Sequence, residues 1–415
     1  MRIHYLFPTT GLTLLAFAAV SVAASPRPVV QTGIDVLEAD GFKILQGKRV
    51  GLITNPTGVT WDLRSTADVL FNAKGVRLVA LFGPEHGIRA NIHAGDHVQD
   101  DKDAKTGLPV YSLYGKTRKA TPEMLKGIDL LVYDVQDVGS RSYTYISTMA
   151  LAMEAAAENN IAFVVLDRPN PLTGNRVEGR PLDLKYKSFV GHLPIPYIYG
   201  MTCGELARMI NGEGWLAGGV KCDLTVVPMK GWTREMWFDQ TGLVWVPTSP
   251  HVPRKDSALF YAATGIMGEL QVLSEGVGYT LPFELAGAPF VEPEKLAQAL
   301  NDRHLPGVVF RPLSWKHYYL RDTKSFFGGV QVHLVDRDAA DLTSIQFHIM
   351  DATRRLYPDH EFFGSKRDDM FDKVCGTDQI RKMFLAGKSA DEIVKFWNSG
   401  RESFMKTRAK YLMYK

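Results

Sequence analysis

Ionisable and amide side chains follow four short apolar runs of the chain, each at the point where the run stops. The runs cover residues 49–54, 76–82, 128–133 and 162–166, and the side chains after them are Asn55, then Glu85 and His86, then Asp137, Arg141 and Tyr143, and finally Asp167, Arg168 and Asn170. Glu85 and His86 stand in a tight turn that Gly83, Pro84 and Gly87 define, where two ionisable groups have no evident packing use. Two carboxyl groups beside a glycosidic bond can protonate the leaving oxygen and stabilise the positive charge that develops on the ring. These side chains therefore favour acid–base chemistry on a sugar or another polar ligand.

Several of these groups also have a purely structural interpretation. Asp167 and Arg168 can form a local ion pair that holds a turn, and Asp137 can cap the helix predicted after it. Tyr143 and Trp245 can serve as platforms for a sugar ring, although a single aromatic ring more often packs in a core. The convergence of several such groups at strand ends indicates a functional site more strongly than any single group does.

Other function classes lack their usual sequence marks. There is no GxGxxG after the first run, no GxxxxGK[ST] and no GxSxG, so neither a nucleotide site nor a serine nucleophile elbow is indicated. Lys and Arg total 48 against 45 Asp and Glu, a balance that argues against a nucleic-acid surface. The candidate metal ligands are His86, His93, Asp96 and His97. Gly95 argues against a helix that would place His93 and His97 on one face, so we predict no metal and no cofactor.

The apolar runs predict the framework that positions these groups. Continuous, often β-branched runs of this length, closed by turn residues, indicate strands buried on both faces. Helical patterns at 64–73 and 144–160 lie between them, which predicts a parallel sheet with right-handed crossovers. The carboxyl ends of parallel strands meet at one edge of a sheet, where ligands bind. The polar clusters are therefore expected to share one crevice.

The second half of the chain predicts a mixed α and β domain. A helix is expected at 202–211, with Thr202 as its N-cap and Glu205 completing a capping box. Further strands are expected at 223–227, 308–310 and 330–335, and further helices at 342–356, 378–385, 389–398 and 402–412. We place the boundary within 183–191, which gives one domain at 25–185 and a second at 186–415.

The first residues have the pattern of a secretory signal peptide. Arg2 supplies a positive charge, an apolar run covers 12–22, and Val22 and Ala24 suit the −3 and −1 positions of a cleavage site. A membrane anchor is the alternative, but the run is short for a bilayer span. We therefore expect residues 1–24 to be removed and the mature protein, periplasmic or extracellular, to have no stable membrane span.

Several strings of the sequence resemble the NamZ (YbbC-like) family, which was long a domain of unknown function. The strings are NPTG at 55–58, GPEHGIR at 83–89, TGLPVYSLYG at 106–115, DVQDVGSR at 134–141, YTY at 143–145, DRPNP at 167–171 and GMTCGEL at 200–206. Characterised members of that family are exo-β-N-acetylmuramidases. The resemblance implies an α/β fold with a Rossmann-like N-terminal domain, a smaller C-terminal α/β domain and an active site in the cleft between them. It also implies the release of terminal β-linked N-acetylmuramic acid from peptidoglycan-derived muramyl saccharides.

The resemblance assigns roles residue by residue. Glu85 matches the leading catalytic candidate, and burial in a cleft favours the protonated form of a carboxyl group that a general acid needs. The other catalytic candidates are His86, Asp137 and Glu178, with Asp137 the first choice for the second carboxyl group. The candidates for substrate binding are Asn55, Arg89, Arg141, Tyr143, Asp167, Arg168, Asn170, Glu269 and Glu275, and the two glutamates also stay open as the second carboxyl group. The planar guanidinium of Arg141 or Arg168 suits the lactyl carboxylate that distinguishes muramic acid from glucosamine.

The chain also departs from strings that are common in the family. Tyr199 stands where many members have His, Val272 where they have Asn, and Val277 where they have Arg, and the stretch 248–253 also differs. These changes leave open a cell-wall sugar-binding protein with lost or altered catalysis. A hydrolase of another class, an amidase or esterase that acts through Glu85 and His86, is a further alternative.

Overall fold

The computed structural model describes residues 29–85, 87–89, 101–320 and 322–415. The predicted signal peptide at 1–24 and the candidate residues His86, His93, Asp96 and His97 lie outside these ranges. Within the described residues, none of the helices combines the length and the apolar character that crossing a bilayer requires.

In the described part of the chain, a seven-stranded sheet forms the N-terminal domain. Its strands are β1 (Arg49–Thr54), β2 (Arg77–Gly83), β3 (Asp101–Lys102), β4 (Pro109–Ser112), β5 (Leu130–Asp134), β6 (Ala162–Leu166) and β7 (Leu224–Val227). The order across the sheet is β3-β4-β2-β1-β5-β6-β7, and neighbours are parallel except β3 and β4. The predicted parallel sheet is therefore confirmed. Strand β7 belongs to this sheet although it follows residue 185, where we place the end of the first domain.

Helices cover both faces of the sheet. Helices α1 (Gly33–Ala39) and α2 (Thr66–Asn72) pack on one face, and α3 (Tyr145–Glu158) and α4 (Cys203–Gly212) pack on the other. Residues of β5 alternate between the two cores: Leu130 and Val132 join the first, while Leu131 and Tyr133 join the second. Because both faces are covered, the strand is apolar at four successive positions, 130–133, rather than at every second one.

The winding of the sheet defines the edge where a ligand binds. From β1 the chain first proceeds outward to β2 and β4, and it then returns to the other side of β1 to form β5, β6 and β7. The connections on the two sides of β1 therefore diverge, and the carboxyl ends of β1 and β5 flank a topological switch point. Crevices at such switch points are the usual ligand sites of open α/β sheets. Asn55 and Asp137 follow these two strands.

The C-terminal domain contains an antiparallel sheet packed against helices, as the second half of the sequence predicts. Its strands are β8 (Leu285–Ala288), β9 (Val308–Trp315) and β10 (Phe327–Leu334), in the order β8-β10-β9. The helices are α5 (Ser257–Gly268), α6 (Pro293–Asn301), α7 (Ile345–Leu356), α8 (Asp368–Cys375), α9 (Gln379–Leu385), α10 (Ala390–Trp397) and α11 (Arg401–Arg408). The core of this domain joins Phe310 of β9 and Val330 and Val332 of β10 to apolar side chains of α5, α6 and α7.

Candidate active site

Glu85 lies just beyond the carboxyl end of β2 and is half-buried. Oγ1 of Thr144, the residue before α3, donates a 2.8 Å hydrogen bond to its Oε2 atom. The hydroxyl of Tyr114 hydrogen-bonds the same carboxyl group, and burial together with that carboxylate raises the pKa of Tyr114 above its ordinary value. The carboxyl group is thus fixed by hydroxyls from two other segments, beside the positive end of a 14-residue helix.

The ring of Tyr143 belongs to an aromatic cluster, here called the tyrosine wall, which consists of Tyr143, Tyr145 and Tyr261. Tyr143 packs edge to face against Tyr145 at 4.9 Å between ring centroids and against Tyr261 at 5.5 Å. Burial raises the pKa of Tyr143, and the negative charges of Glu85 and Asp137 raise it further. The hydroxyl of Tyr143 therefore lies within the field of both predicted catalytic acids, which brings the ends of β2 and β5 into one site.

Asp137 is buried, and its two carboxylate oxygens have different surroundings. Oδ2 accepts hydrogen bonds from the hydroxyl of Tyr199 at 2.5 Å and from the backbone N–H of Gly139 at 2.7 Å. Oδ1 is buried and has no hydrogen-bond partner among the described residues. Burial raises the pKa of Asp137 to about 6, against the two hydrogen bonds, which lower it. Asp137 closes the turn at 137–139 and makes no cap hydrogen bond to α3.

The turn after Asp137 requires a glycine. Gly139 has a φ of 82°, and a Cβ atom at this position would lie 2.3 Å from Oδ1 of Asn170. Asn170 itself accepts from the backbone N–H of Leu172 and donates to the carbonyl oxygen of Met201, both at 2.9 Å. Its amide group therefore holds three loops together beside Asp137, so the structure places Asn170 as a support of the site.

Asn55 presents a second unsatisfied polar atom at the switch point. Its Oδ1 atom accepts from the backbone N–H of Thr57 at 3.0 Å and from the Thr57 hydroxyl at 2.5 Å. Its Nδ2 group is buried and has no partner in the described part of the chain. A buried polar atom without a partner costs free energy, which a hydrogen bond to a ligand would recover. Asn55 offers a donor and Asp137 an acceptor for a polar substrate.

Arg141, which is predicted to bind a substrate carboxylate, is engaged within the protein. The side chain is fully buried. Nη1 donates to the carbonyl oxygens of Arg180 at 3.0 Å and Ile195 at 2.7 Å, and Nη2 donates to those of Val374 at 3.0 Å and Cys375 at 2.9 Å. All four terminal N–H groups are therefore used, and Arg141 fastens the end of α8 to the loop after β5.

Arg168 is also engaged by the protein. Its Nε and Nη2 atoms donate to Asp134 at 2.6 and 3.0 Å in a bidentate pair, and Nη2 also donates to the carbonyl oxygen of Val59 at 2.7 Å. Both side chains of this ion pair are buried. The local ion pair considered for Asp167 and Arg168 is therefore wrong, because the guanidinium pairs with the end of β5 instead.

Asp167 binds the start of α4 and the end of the chain. Its carboxylate accepts from the Thr202 hydroxyl at 2.6 Å, from the backbone N–H of Gly204 at 2.8 Å and from the Tyr414 hydroxyl at 2.6 Å. Burial raises the pKa of Asp167 to about 6. All three hydrogen bonds are made within the protein, and the contact of Asp167 with substrate stays a prediction.

Two further predicted residues are tied to other parts of the chain. Glu178 accepts from Arg176 and from the backbone N–H of Thr343, the latter at 2.8 Å, and burial raises its pKa to about 7. Arg89 forms ion pairs with Asp103 at 3.0 Å and with Asp68 at 3.2 Å. Within the described ranges, neither side chain bonds to Glu85.

The C-terminal domain contributes Glu269 to the surroundings of the tyrosine wall. Glu269 follows α5 and is half-buried, and its negative charge raises the pKa of Tyr261 beyond the effect of burial. Glu275 is buried against the end of the same helix, where a Cβ atom on Gly268 would lie 2.7 Å from its Oε2 atom. Glu269 is thus linked to Tyr143 through Tyr261.

Similarity to known proteins agrees with this arrangement. The family model described as exo-beta-N-acetylmuramidase NamZ, N-terminal, matches residues 50–256, and the corresponding C-terminal model matches residues 259–414. The chain belongs to the NamZ family. It is 48% identical, over 411 residues and 97% of both sequences, to the peptidoglycan beta-N-acetylmuramidase NamZ of Bacillus subtilis (strain 168).

Two solved structures of DUF1343 family proteins from Bacteroides fragilis NCTC 9343 share the fold. One is 53% identical with a TM-score of 0.90, and the similarity covers 94% of this chain and all of the other. The second is 33% identical with a TM-score of 0.74, and it covers 93% of this chain and 99% of the other. The fold predicted from the family resemblance is confirmed.

Two of the departures from common NamZ strings lie in the site. Tyr199, where many members have His, is the residue that binds Oδ2 of Asp137. Thr248, in the altered stretch 248–253, accepts at Oγ1 from the Tyr143 hydroxyl at 2.9 Å, and its carbonyl oxygen accepts from Tyr145. Tyr199 thus contacts the acid that follows β5, and Thr248 contacts the tyrosine wall.

The sequence prediction missed Tyr114 and Thr144, which hold Glu85. Tyr114 lies inside a string that resembles the family, and Thr144 stands directly before a predicted helix, so both carried a signal that was not used. Among the described residues, no group of three or more His, Cys, Asp or Glu side chains is placed to hold a metal ion. Because His86, His93 and His97 lie outside those residues, the metal-free and cofactor-free site stays a prediction.

Proposed function

We propose that this chain is an exo-acting glycoside hydrolase that releases terminal β-linked N-acetylmuramic acid from peptidoglycan fragments. Its membership in the NamZ family and the 48% identical peptidoglycan beta-N-acetylmuramidase, matched over 97% of both sequences, support this function. The structural observation that carries it is the 2.8 Å hydrogen bond from Thr144 to Glu85, which joins the end of β2 to the segment after β5 that also contains Asp137.

Glu85 is assigned the role of general acid. Thr144 and Tyr114 hold its carboxyl group in one orientation, and a hydroxyl group can donate to the ionised acid or accept from the protonated one. When the proton passes to the glycosidic oxygen, the carboxylate left behind lies beside the N-terminus of α3, where negative charge is stabilised. The same environment therefore serves both states of the acid during a turnover.

Asp137 is assigned the role of the second carboxyl group. Its Oδ2 atom is saturated by Tyr199 and Gly139, so the carboxylate cannot rotate freely, and Oδ1 remains for a water molecule or for the substrate. Glu269, on the other side of the tyrosine wall, is the second candidate for this role. The separation of the acids in the complex with substrate decides between retention and inversion of configuration.

A panel of chromogenic substrates tests the proposed function. Wild-type protein is expected to hydrolyse an aryl N-acetylmuramide in preference to the matching N-acetylglucosaminide and to leave an aryl ester intact. Ester hydrolysis without glycoside hydrolysis would instead support the alternative of an amidase or esterase. Binding of muramyl saccharides with no turnover would favour a sugar-binding protein, the alternative that the changes at Val272 and Val277 raise.

We also propose that the protein is exported and acts in the periplasm or outside the cell. The charge of Arg2, the apolar run at 12–22 and the small residues before Ser25 support removal of a signal peptide. Export also suits the substrate, because peptidoglycan lies outside the cytoplasmic membrane. N-terminal sequencing of the native protein should give Ser25 as the first residue, and a sequence that still contains Arg2 would contradict export by this route.

A further inference from the structure

Recognition of muramic acid requires a group that binds its lactyl carboxylate. A guanidinium is suited to this task because it can donate two parallel hydrogen bonds to a carboxylate. The two arginines predicted for it are engaged within the protein, Arg141 by four carbonyl oxygens and Arg168 by Asp134. Arg89, another predicted binding residue, is paired with Asp103 and Asp68. None of these three guanidinium groups is therefore left to bind the lactyl carboxylate.

Arg118 lies in the loop that follows β4. A chain of contacts through the rings of Phe189 and Tyr114 connects it to Glu85. Its Cζ atom lies 4.4 Å from the centre of the Phe189 ring, and the Phe189 and Tyr114 ring centres are 6.0 Å apart. The hydroxyl of Tyr114 hydrogen-bonds Glu85, and the positive charge of Arg118 acts on the same hydroxyl, where it opposes the effect of burial on the pKa of Tyr114. The guanidinium therefore lies on the same side of the sheet edge as the catalytic acid.

Among the acids that the structure describes, none neutralises the charge of Arg118. In the part of the chain that the structure describes, the guanidinium makes no ion pair and no hydrogen bond, and the side chain is exposed. Lys119, the next residue, shows the contrast, since its ammonium group is held by Glu154 at 2.6 Å and by Glu158 at 2.7 Å. The ring of Phe189 supports one face of the Arg118 guanidinium, which limits its rotation and leaves its N–H edge for a ligand.

We propose that Arg118 binds the lactyl carboxylate of the muramic acid residue and that Phe189 orients the Arg118 guanidinium for this contact. The assignment rests on the proposed function, and it identifies the side chain that distinguishes muramides from glucosaminides. Because the lactyl group takes no part in bond cleavage, the contact contributes equally to the bound substrate and to the transition state. Its loss should therefore raise KM and leave kcat nearly unchanged.

A pair of substrates that differ only in charge tests this assignment. They are an aryl N-acetylmuramide and its lactyl methyl ester, which has no carboxylate. Wild-type protein is expected to prefer the free acid. In Arg118→Ala, kcat/KM for the acid should fall about 10- to 100-fold, the range typical of hydrogen bonds to a charged group, while kcat/KM for the ester stays the same.

Three further variants separate charge, geometry and general effects. Arg118→Lys keeps the charge without the two-pronged geometry, so it should retain part of the preference for the acid. Phe189→Leu keeps an apolar side chain without the ring face, and it should raise KM for the acid alone. Lys126→Ala removes one exposed positive charge further along the same segment, and it should leave kcat/KM unchanged for both substrates.

The outcomes separate failure of this assignment from failure of the proposed function. An Arg118→Ala protein that keeps the wild-type ratio of acid to ester would overturn the assignment, and so would an equal loss on both substrates. In both cases the wild-type protein still hydrolyses muramides, so the proposed function stands. A wild-type protein that hydrolyses neither muramide would overturn the proposed function, and this assignment with it.

Discussion

The hydroxyl of Tyr199 donates a 2.5 Å hydrogen bond to Oδ2 of Asp137, and this bond settles which carboxylate oxygen is available for chemistry. The backbone N–H of Gly139 donates to the same oxygen, so Oδ1 is the atom left without a partner among the described residues. Tyr199 also lowers the pKa of Asp137, against the effect of burial. Tyr199 thus orients the carboxyl group of Asp137 and favours its ionised form.

Replacing this tyrosine should change the pH dependence of catalysis. Tyr199→Phe keeps the ring but removes a hydrogen bond that lowers the pKa of Asp137, so that pKa moves upward from about 6. Since Asp137 is assigned a role in its ionised form, the acidic limb of kcat against pH should move to higher pH. Tyr145→Phe is the matched control, because the Tyr145 hydroxyl bonds to the backbone of Thr248 and not to Asp137. An acidic limb that stays in place in Tyr199→Phe would contradict the role of Asp137.

The buried charge of Asp137 should also lower the stability of the protein near neutral pH. Burial raises its pKa from 3.8 to about 6, so folding favours the protonated carboxyl group. This contribution is fully present below pH 3.8 and is lost as the pH rises through about 6. Asp137→Asn never ionises, so it should have a higher Tm than wild type above pH 6, with a difference that shrinks toward pH 3.8. Thermal melts at several pH values measure this, and a pH-independent difference would show that ionisation is not its cause.

The buried ion pair between Asp134 and Arg168 should couple the ends of β5 and β6. Arg168→Gln leaves the Asp134 carboxylate buried with the Thr66 hydroxyl as its remaining side-chain donor, at 2.5 Å. Loss of one partner of a buried pair costs about 3–5 kcal/mol, so urea denaturation should show a large decrease in stability. Asp134→Asn combined with Arg168→Gln should cost less than the sum of the single changes. Additive losses would mean that the two side chains do not interact.

The sheet and the start of α4 could be predicted because their signals are local. Strands β1, β2, β5 and β6 are continuous apolar runs closed by turn residues, and Thr202 with Glu205 forms the expected capping box, with hydrogen bonds of 3.2 and 3.1 Å. Helix α5 had no such signal. Most of its residues are buried in the C-terminal core, so its sequence lacks the polar face by which an amphipathic helix is recognised.

The role of an arginine could not be predicted, because its partners are distant in sequence. Arg141 and Arg168 follow strands, as a substrate-binding arginine should, yet the first binds carbonyl oxygens of Val374 and Cys375 and the second binds an acid 34 residues earlier. Their positions after apolar runs correctly predicted that both arginines lie at the carboxyl edge of the sheet. They could not tell whether the side chain turns toward the crevice or into the protein, since that depends on tertiary packing.

Glu85→Gln should abolish most of the activity while the fold is kept. Glutamine has the shape of the acid and can still accept from Thr144, but it has no proton to give to the glycosidic oxygen. Proton transfer by a placed side chain contributes about 10²–10⁴-fold, so kcat on a muramyl disaccharide should fall by roughly that factor. Steady-state kinetics, with circular dichroism to verify the fold, measures the effect.

The leaving group decides which role Glu85 has. An activated aryl leaving group departs with little protonation, so a general acid should matter less for an aryl muramide than for the disaccharide. A nucleophile should matter equally for both. Glu158→Gln makes the same chemical change on the exposed end of α3, where the side chain pairs with Lys119, and it should leave kcat unchanged. A folded Glu85→Gln protein with wild-type kcat on the disaccharide would remove Glu85 from the mechanism, because no other change in this variant could restore the missing proton.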